Sequence, residues 1–493
     1  MAELMQVAVE RCVSARCAIE TMGRTAEAHG FYGEDPGMPG AGESLSVVDR
    51  NETWIFHITG GLRNTSATWV AQRVPDEHVA VVANNFIIQQ VNCRDSRDFL
   101  CSGNIFSNAR EAGLCEFSSE TEFNWLTCYG TDVRVFHYNP VLPPIPYYAT
   151  LRMWRIQNLA NPAAAVALTD DPFAFPFSVP VASKVSRTDI MNWTRDYYKD
   201  TEFDMTLGVL AGPYGNPNRI EGGPGMLAVP GQFARGISIP RTAYSVIVEA
   251  KPGKRAGQTI AWFAIDQPLS SVFVPFVASS DRTADAYRKG RQEFFSRDSA
   301  WWAFNFVSNW MSIDWADMMA MHVGPAMREE QQRIMDAVQG LEADWPEDKE
   351  VVNRMQHGLH ENLVKTWWAL ADELIARFSD GIYTHRNGTK KGIGYPGWWL
   401  QMIGFNDDFY RVQWVELSAS PPALLLPSLP PALLRTASAA GGSLKSTGGG
   451  GDMAALTAFI PGVLVGVAIG VALTAAALRK YSKAADLHAR LLA

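Results

Sequence analysis

An α plus β fold is predicted, on three observations. Short runs rich in β-branched and aromatic residues recur between residues 44 and 92 and again between 242 and 264. Residues 284–380 carry apolar side chains at helical spacing among frequent charges. Clusters of Gly, Pro and Asn punctuate the boundaries between such stretches. With 493 residues, 47% of them hydrophobic, the chain has ample apolar material for one large domain or two ordinary ones.

In chain order, Met1 to Gly33 places Leu4, Val7, Ala8, Cys12, Ala15, Ile19 and Met22 on one helical face and ends at a Gly-containing turn. Glu3, Glu10 and Arg11 interrupt any apolar run, so the segment reads as an amphipathic helix and not a signal peptide. Trp54-Ile-Phe-His-Ile and Val79-Ala-Val-Val-Ala read as strands. Pro-rich breaks at Pro140–Pro146 and Pro172–Pro180 divide loops from helices. Thr242–Val248 and Thr259–Ala264 form a predicted hairpin pair, and Arg328–Gly340 and Met355–Phe378 are the clearest helices. The 16 Trp residues, several in pairs such as Trp367-Trp368, suit interlayer packing.

Composition excludes some functions. A net charge of −8 argues against a nucleic-acid partner, which calls for a basic face. The six cysteines, at 12, 17, 93, 101, 115 and 128, include no Cys-x-x-Cys, so a structural zinc is not indicated. Cys12 and Cys17, inside the first helix, are expected as buried free thiols that behave as small hydrophobes. The other four could form two disulfides in an oxidising compartment, with connectivity left open. His57, His322, His357 and His360 form no His-x-x-x-His or His-Glu-x-x-His pair, which disfavours a metallopeptidase. Four sequons occur, at Asn51, Asn64, Asn192 and Asn387.

One series of blocks is more specific than any of these. It runs Asp171-Pro-Phe-Ala-Phe-Pro-Phe-Ser-Val, Lys184-Val-Ser-Arg-Thr-Asp-Ile-Met, Arg195-Asp-Tyr-Tyr-Lys-Asp-Thr-Glu-Phe-Asp and Ala211-Gly-Pro-Tyr-Gly-Asn-Pro-Asn-Arg. Glu52-Thr-Trp-Ile-Phe-His-Ile, Trp69-Val-Ala-Gln-Arg-Val-Pro-Asp, Val82-Ala-Asn-Asn-Phe and Ser102-Gly-Asn-Ile-Phe precede it. Ser299-Ala-Trp-Trp-Ala-Phe and Lys391-Gly-Ile-Gly-Tyr-Pro-Gly-Trp-Trp-Leu follow it. In order and wording these blocks resemble the dipeptidase family of N-terminal-nucleophile cysteine hydrolases, relatives of the secernins, over Met1 to Trp414.

The resemblance implies a fold: a four-layer αββα sandwich over residues 1–417, here expected to lack its first strands. It also implies an activity. A cysteine at the mature N-terminus attacks the peptide carbonyl, its own α-amine accepts the proton, and nearby donors hold the oxyanion. No cofactor is expected, and the substrates implied are short peptides. Neither early cysteine suits the nucleophile, and the family's Cys-Thr-Thr-like start is not found in these 493 residues. The expectation is therefore a truncated and inactive form of the enzyme. The rival readings are a non-catalytic membrane-anchored binding protein derived from it, and an N-acyl amide hydrolase of the same fold.

By the same resemblance, Asn216 or Asn218 is the oxyanion donor. Arg219 is the candidate to bind a substrate carboxylate bidentately, with Arg241, at a strand start, as a further candidate. The bland alternative is a turn with an Asx hydrogen bond beside a surface arginine. Asp189 and Asp204 read as helix caps or structural partners.

The composition then changes. Ser418–Asp452 is rich in Pro, Ser, Ala and Gly and reads as a flexible stalk. Met453–Leu478 is 26 residues without a charge, about 39 Å as a helix and enough to cross a membrane. Gly462, Gly466 and Gly470 make a small-residue face suited to self-association. The tail 479–493 carries Arg479, Lys480, Lys483 and Arg490 against Asp486, so it is expected in the cytosol with the large domain lumenal or extracellular, the alternative being a tail-anchored protein with a cytosolic domain.

Overall fold

A computed structural model describes residues 1–33, 42–62, 65–132, 134, 142–221, 231–250 and 256–405. The stalk, the expected span with Gly462, Gly466 and Gly470, the basic tail and the Asn64 sequon lie outside the described residues. Among the described residues no helix is long and apolar enough to cross a membrane.

The chain starts with two helices where one was expected: α1 (Ala2–Arg11) and α2 (Ala15–His29). Cys12 is extended, Ser14 caps α2 by accepting from the Cys17 amide, and a Cys12–Cys17 disulfide closes the corner. The expectation of two free buried thiols is thereby corrected. Strands β1 (Glu43–Val48), β2 (Thr53–Gly60) and β3 (Ala67–Val74) follow, then the two-residue β4 (His78–Val79) and β5 (Phe99–Cys101). They make an antiparallel sheet in the order β1-β2-β3-β5, while β4 pairs elsewhere. One face, with Trp54, Phe56, Ile58 and Trp69, packs under Ile19, Met22 and Ala26 of α2. The other face is covered too, which is why β2 is apolar almost throughout.

The run around Val79 is strand only at His78–Val79. Further along the chain the extended segment meets His57, a fully buried member of β2. Its Nδ1 meets Ser44 Oγ at 2.7 Å, and its Nε2 accepts from the Ile87 amide at 3.0 Å. An extended backbone amide is thus satisfied by a side chain in place of a strand partner. Burial pushes the His57 pKa down to about 3, so the ring stays neutral and keeps Nε2 as an acceptor.

Helices α3 (Ile105–Glu111), α4 (Trp125–Tyr129) and α5 (Thr150–Ala160) cover that second face, pinned by disulfides Cys93–Cys101 and Cys115–Cys128. Short β6 (Val179–Pro180) pairs with β4, and α6 (Arg187–Thr194) opens with a capping box between Ser186 and Asp189. Asp189 is a cap, as its position suggested.

The second core is built on β7 (Tyr244–Glu249), β8 (Ile260–Ile265) and β9 (Val274–Val277), an antiparallel sheet in that order. The hairpin expected from sequence is β7–β8. Helices α7 (Ala300–Trp310), α8 (Trp315–Met318), α9 (Gly324–Ala343) and α10 (Lys349–Arg377) complete it. Residues 284–299, expected to be helical, hold only a 3₁₀ turn at Asp285–Tyr287. The π-helical turn at Met319–Val323 precedes Pro325, whose ring would clash with a regular turn before it. Phe304 of α7 stacks on Trp367 of α10 at 4.8 Å, the packing role expected of the Trp pairs. A small meander, β10 (Phe378–Ser379), β11 (Ile382–Thr384) and β12 (Lys390–Gly392), and α11 (Gly397–Met402) follow.

The two larger sheets contribute to separate buried clusters, each under its own helices. The mixed α and β architecture with several sheets is the one expected from the sequence pattern.

Gly23 yields a test of the first core. A Cβ there would lie 2.2 Å from Trp69 Cε2, although alanine is the better helix former by about 1 kcal/mol. Overpacking costs about 1–3 kcal/mol, so the clash wins. Gly23→Ala should lower the melting temperature. Gly358→Ala in α10, whose Cβ meets nothing within 4 Å, should hold or raise it.

Candidate active site

The loop that carries Asn216, Asn218 and Arg219 is fixed from three sides. Asp204 starts it: Oδ1 accepts from the Thr206 amide at 2.8 Å and from Thr206 Oγ1 at 2.6 Å, while Oδ2 takes the Asp200 amide at 3.2 Å. The Ala316 amide at the start of α8 donates to Tyr214 O at 3.0 Å, and Tyr214 stacks on Tyr395. Gly212 and Gly215 adopt φ of 65° and 62°, the left-handed region that glycine enters without strain.

Within this frame the two asparagines differ. Asn216 Oδ1 accepts from the Asn218 amide at 3.0 Å, an Asx turn, and its Nδ2 donates to Ser312 Oγ at 3.3 Å. Both ends of that carboxamide are engaged. Asn218 Oδ1 accepts from Gln267 Nε2 at 2.6 Å, and among the described residues its Nδ2 has no partner. The orientation leaves Asn218 with a donor to offer.

Gln267 is itself placed by its neighbour. Asp266 follows the last residue of β8 in a left-handed conformation, φ 65°, and is 2% exposed. Its carboxylate accepts from Asn305 Nδ2 at 2.9 Å and Ser308 Oγ at 2.7 Å, both on α7. Burial raises the Asp266 pKa against the lowering effect of those bonds. Asp314, the α8 N-cap beside Ser312 in sequence, is pushed up to about 6 by burial and the nearby Asp317. Sequence reasoning missed Asp266, Gln267, Asn305 and Ser308. The available signal was Asn305 and Ser308, i and i+3, on the largely apolar helix Ala300–Trp310.

Arg219 lines a cleft of about 360 Å³ with Tyr198, Asp204, Met205, Leu207 and Ala234. Its Nη1 donates to Asn216 O at 3.0 Å and its Nη2 to Met205 O at 2.8 Å, so the guanidinium props the loop from beneath. Burial lowers its pKa. Arg241 stands apart, bound to Glu221 at 2.8 Å, in the turn three residues before β7 and not in the strand. Of the sequence candidates, the structure thus groups Asn216, Asn218 and Arg219 and leaves Arg241 outside. A larger cleft, about 1070 Å³ between α6 and α9, contains none of the four.

All six cysteines are paired, so none presents a thiol. Among the described residues no group of three or more His, Cys, Asp or Glu is placed to hold a metal ion.

Comparison with known proteins identifies a family and several relatives. The sequence pattern of Peptidase family C69 matches residues 1–324. A protein named probable dipeptidase from Latilactobacillus sakei is 25% identical over 269 residues, 53% of this chain and 48% of its own length. Probable dipeptidase A from Streptococcus pyogenes serotype M18 is 25% identical over 299 residues, 60% of this chain and 54% of its own. A dipeptidase from Bifidobacterium longum is 23% identical over 312 residues, 60% of this chain and 50% of its own. The chain spans about half the length of the curated relatives it matches. The match through residue 324 takes in the Asn216–Arg219 loop, Asp266 and α7, and on that match the chain belongs to peptidase family C69, the dipeptidase family of N-terminal-nucleophile cysteine peptidases.

Proposed function

We propose that this chain carries the oxyanion side of a cysteine-type dipeptidase acting on short peptides. The observation that carries the reading is Asn218, whose oxygen is held by Gln267 while, among the described residues, its Nδ2 has no partner. In this chemistry a cysteine thiolate bonds to the peptide carbonyl carbon, and Nδ2 donates to the oxygen as it gains charge. The tetrahedral species then expels the amine, which leaves with the proton held by the cysteine's α-amine. Water hydrolyses the thioester and restores the thiol. The attacking thiol is none of the six paired cysteines.

A second reading, a binding protein derived from the enzyme, is favoured by two facts: every cysteine is paired, and the Nη atoms of Arg219 are engaged by backbone carbonyls. We further propose that the domain is lumenal or extracellular and anchored once by Met453–Leu478. Three disulfides fit an oxidising compartment, and the basic residues after the span fit a cytosolic tail. Asn51, Asn192 and Asn387 are all exposed.

The 493-residue chain, assayed oxidised on Ala-Ala, should release no alanine. Hydrolysis abolished by Cys12→Ser or Cys17→Ser would overturn the assignment of these cysteines. In a form that does hydrolyse dipeptides, Asn218→Ala should lower kcat by about 10²–10³-fold, the usual loss for one oxyanion donor. Asn216→Ala should act mainly on loop stability; an unchanged kcat in Asn218→Ala moves the donor elsewhere.

Localisation is tested in cells. Removing N-glycans from the expressed chain should shift its mobility, and Asn192→Gln or Asn387→Gln should reduce that shift. An unglycosylated domain, open to protease outside intact microsomes, would place it in the cytosol.

A further inference from the structure

Two arginines far apart in sequence meet at one tyrosine. Arg152 lies on α5 and Arg235 in the segment before β7, and their Cζ atoms sit 5.7 and 4.8 Å from the centre of the Tyr148 ring. Arg235 Nη1 also donates to Tyr148 Oη at 3.2 Å. Arg152 donates from Nη1 to Asn84 Oδ1 at 2.9 Å and from Nη2 to Tyr148 O at 2.6 Å. Each of these acceptors is neutral.

The neighbouring arginines are treated differently. Arg155 holds Asp196 bidentately at 2.8 and 2.7 Å, and Arg241 holds Glu221. Among the described residues no carboxylate pairs with Arg152 or Arg235, and the Nε of each is out of contact with solvent and without an acceptor. Two cations partly withdrawn from water beside one another are costly unless an anion joins them. Burial, with the charges of Arg235 and Arg241, lowers the Arg152 pKa.

The backbone around the pair is also constrained. Tyr147 and Tyr198 are left-handed, with φ of 49° and 66°, a conformation uncommon for aromatic residues. Tyr198, fully buried, spends its hydroxyl on Arg235 O, which fixes the second arginine's main chain. Cation–π contact holds both guanidiniums in place but leaves their charge uncompensated.

We propose that the Arg152–Arg235 pair is an anion site that takes one carboxylate, the planar group whose two oxygens match guanidinium forks. The pair adjoins the cleft that Arg219 lines, to which Leu151, Tyr198 and Ala234 also contribute, and the proposal does not depend on turnover at the Asn216–Arg219 loop. A short peptide would present such a group at its C-terminus.

Binding to the full oxidised chain, measured by titration calorimetry at constant ionic strength, tests this. Acetate and Ala-Ala should bind saturably, and the C-terminal amide of Ala-Ala at least tenfold more weakly. Arg235→Gln should weaken Ala-Ala at least tenfold while its near-ultraviolet circular dichroism stays native. That variant carries the test, because Arg152→Met loses backbone contacts and could fail to fold. No saturable binding to the folded wild-type chain, equal binding of acid and amide, unchanged affinity in Arg235→Gln, or phosphate bound more tightly than acetate would each overturn the proposal. Because the readout is binding, an inactive chain leaves the test intact.

Discussion

Asp266 sets the geometry of the candidate site. It is a carboxylate taken out of water just past the end of β8, on a backbone conformation that only a few non-glycine residues adopt. Burying such a group costs several kcal/mol unless donors surround it. Asn305 and Ser308 supply them from α7, so sheet and helix are joined at one point. The turn that results aims Gln267 at Asn218, and the Asx turn at Asn216 and the Arg219 prop then fix the rest of the loop. Removing any one donor would leave a buried acceptor unpaired, so the network stands or falls together.

Charge is handled in three ways in the adjoining segments. Arg155 is neutralised by Asp196, and Arg219 is spent on carbonyl oxygens that cap the loop. Arg152 and Arg235 have neither a carboxylate nor a full set of acceptors among the described residues. The first two arrangements hold the fold; the third is the one that an arriving anion would complete. Histidines take no part in this: His57 is kept neutral by burial and serves as a backbone acceptor in the first core.

Much of the architecture was legible because it rests on local pattern. The β7–β8 hairpin follows from two β-branched runs, and α9 and α10 from apolar residues at helical spacing. The strand Val274–Val277 was not legible, since Pro275 demotes a run to an edge, which is the place β9 takes in its sheet. The break at Cys12 was hidden by an apolar stripe that continues through it, although Ser14 is a good N-cap. The loop residues Asn216, Asn218 and Arg219 could be named from the family resemblance. Their unequal roles could not, because these depend on Gln267 and Asp266, and Asp266 meets its donors about 40 residues further along the chain.

The central claim is that one buried carboxylate positions the Asn218 donor through Gln267. Hydrogen exchange of the backbone amides in Asp266→Ala measures this directly, with Asp196→Ala as a comparison outside the network. The account predicts faster exchange in Asp266→Ala over residues 212–219 and around 305–308, with the β1–β3 sheet protected as in the wild type. Unchanged protection of residues 212–219 in a folded Asp266→Ala protein would contradict it.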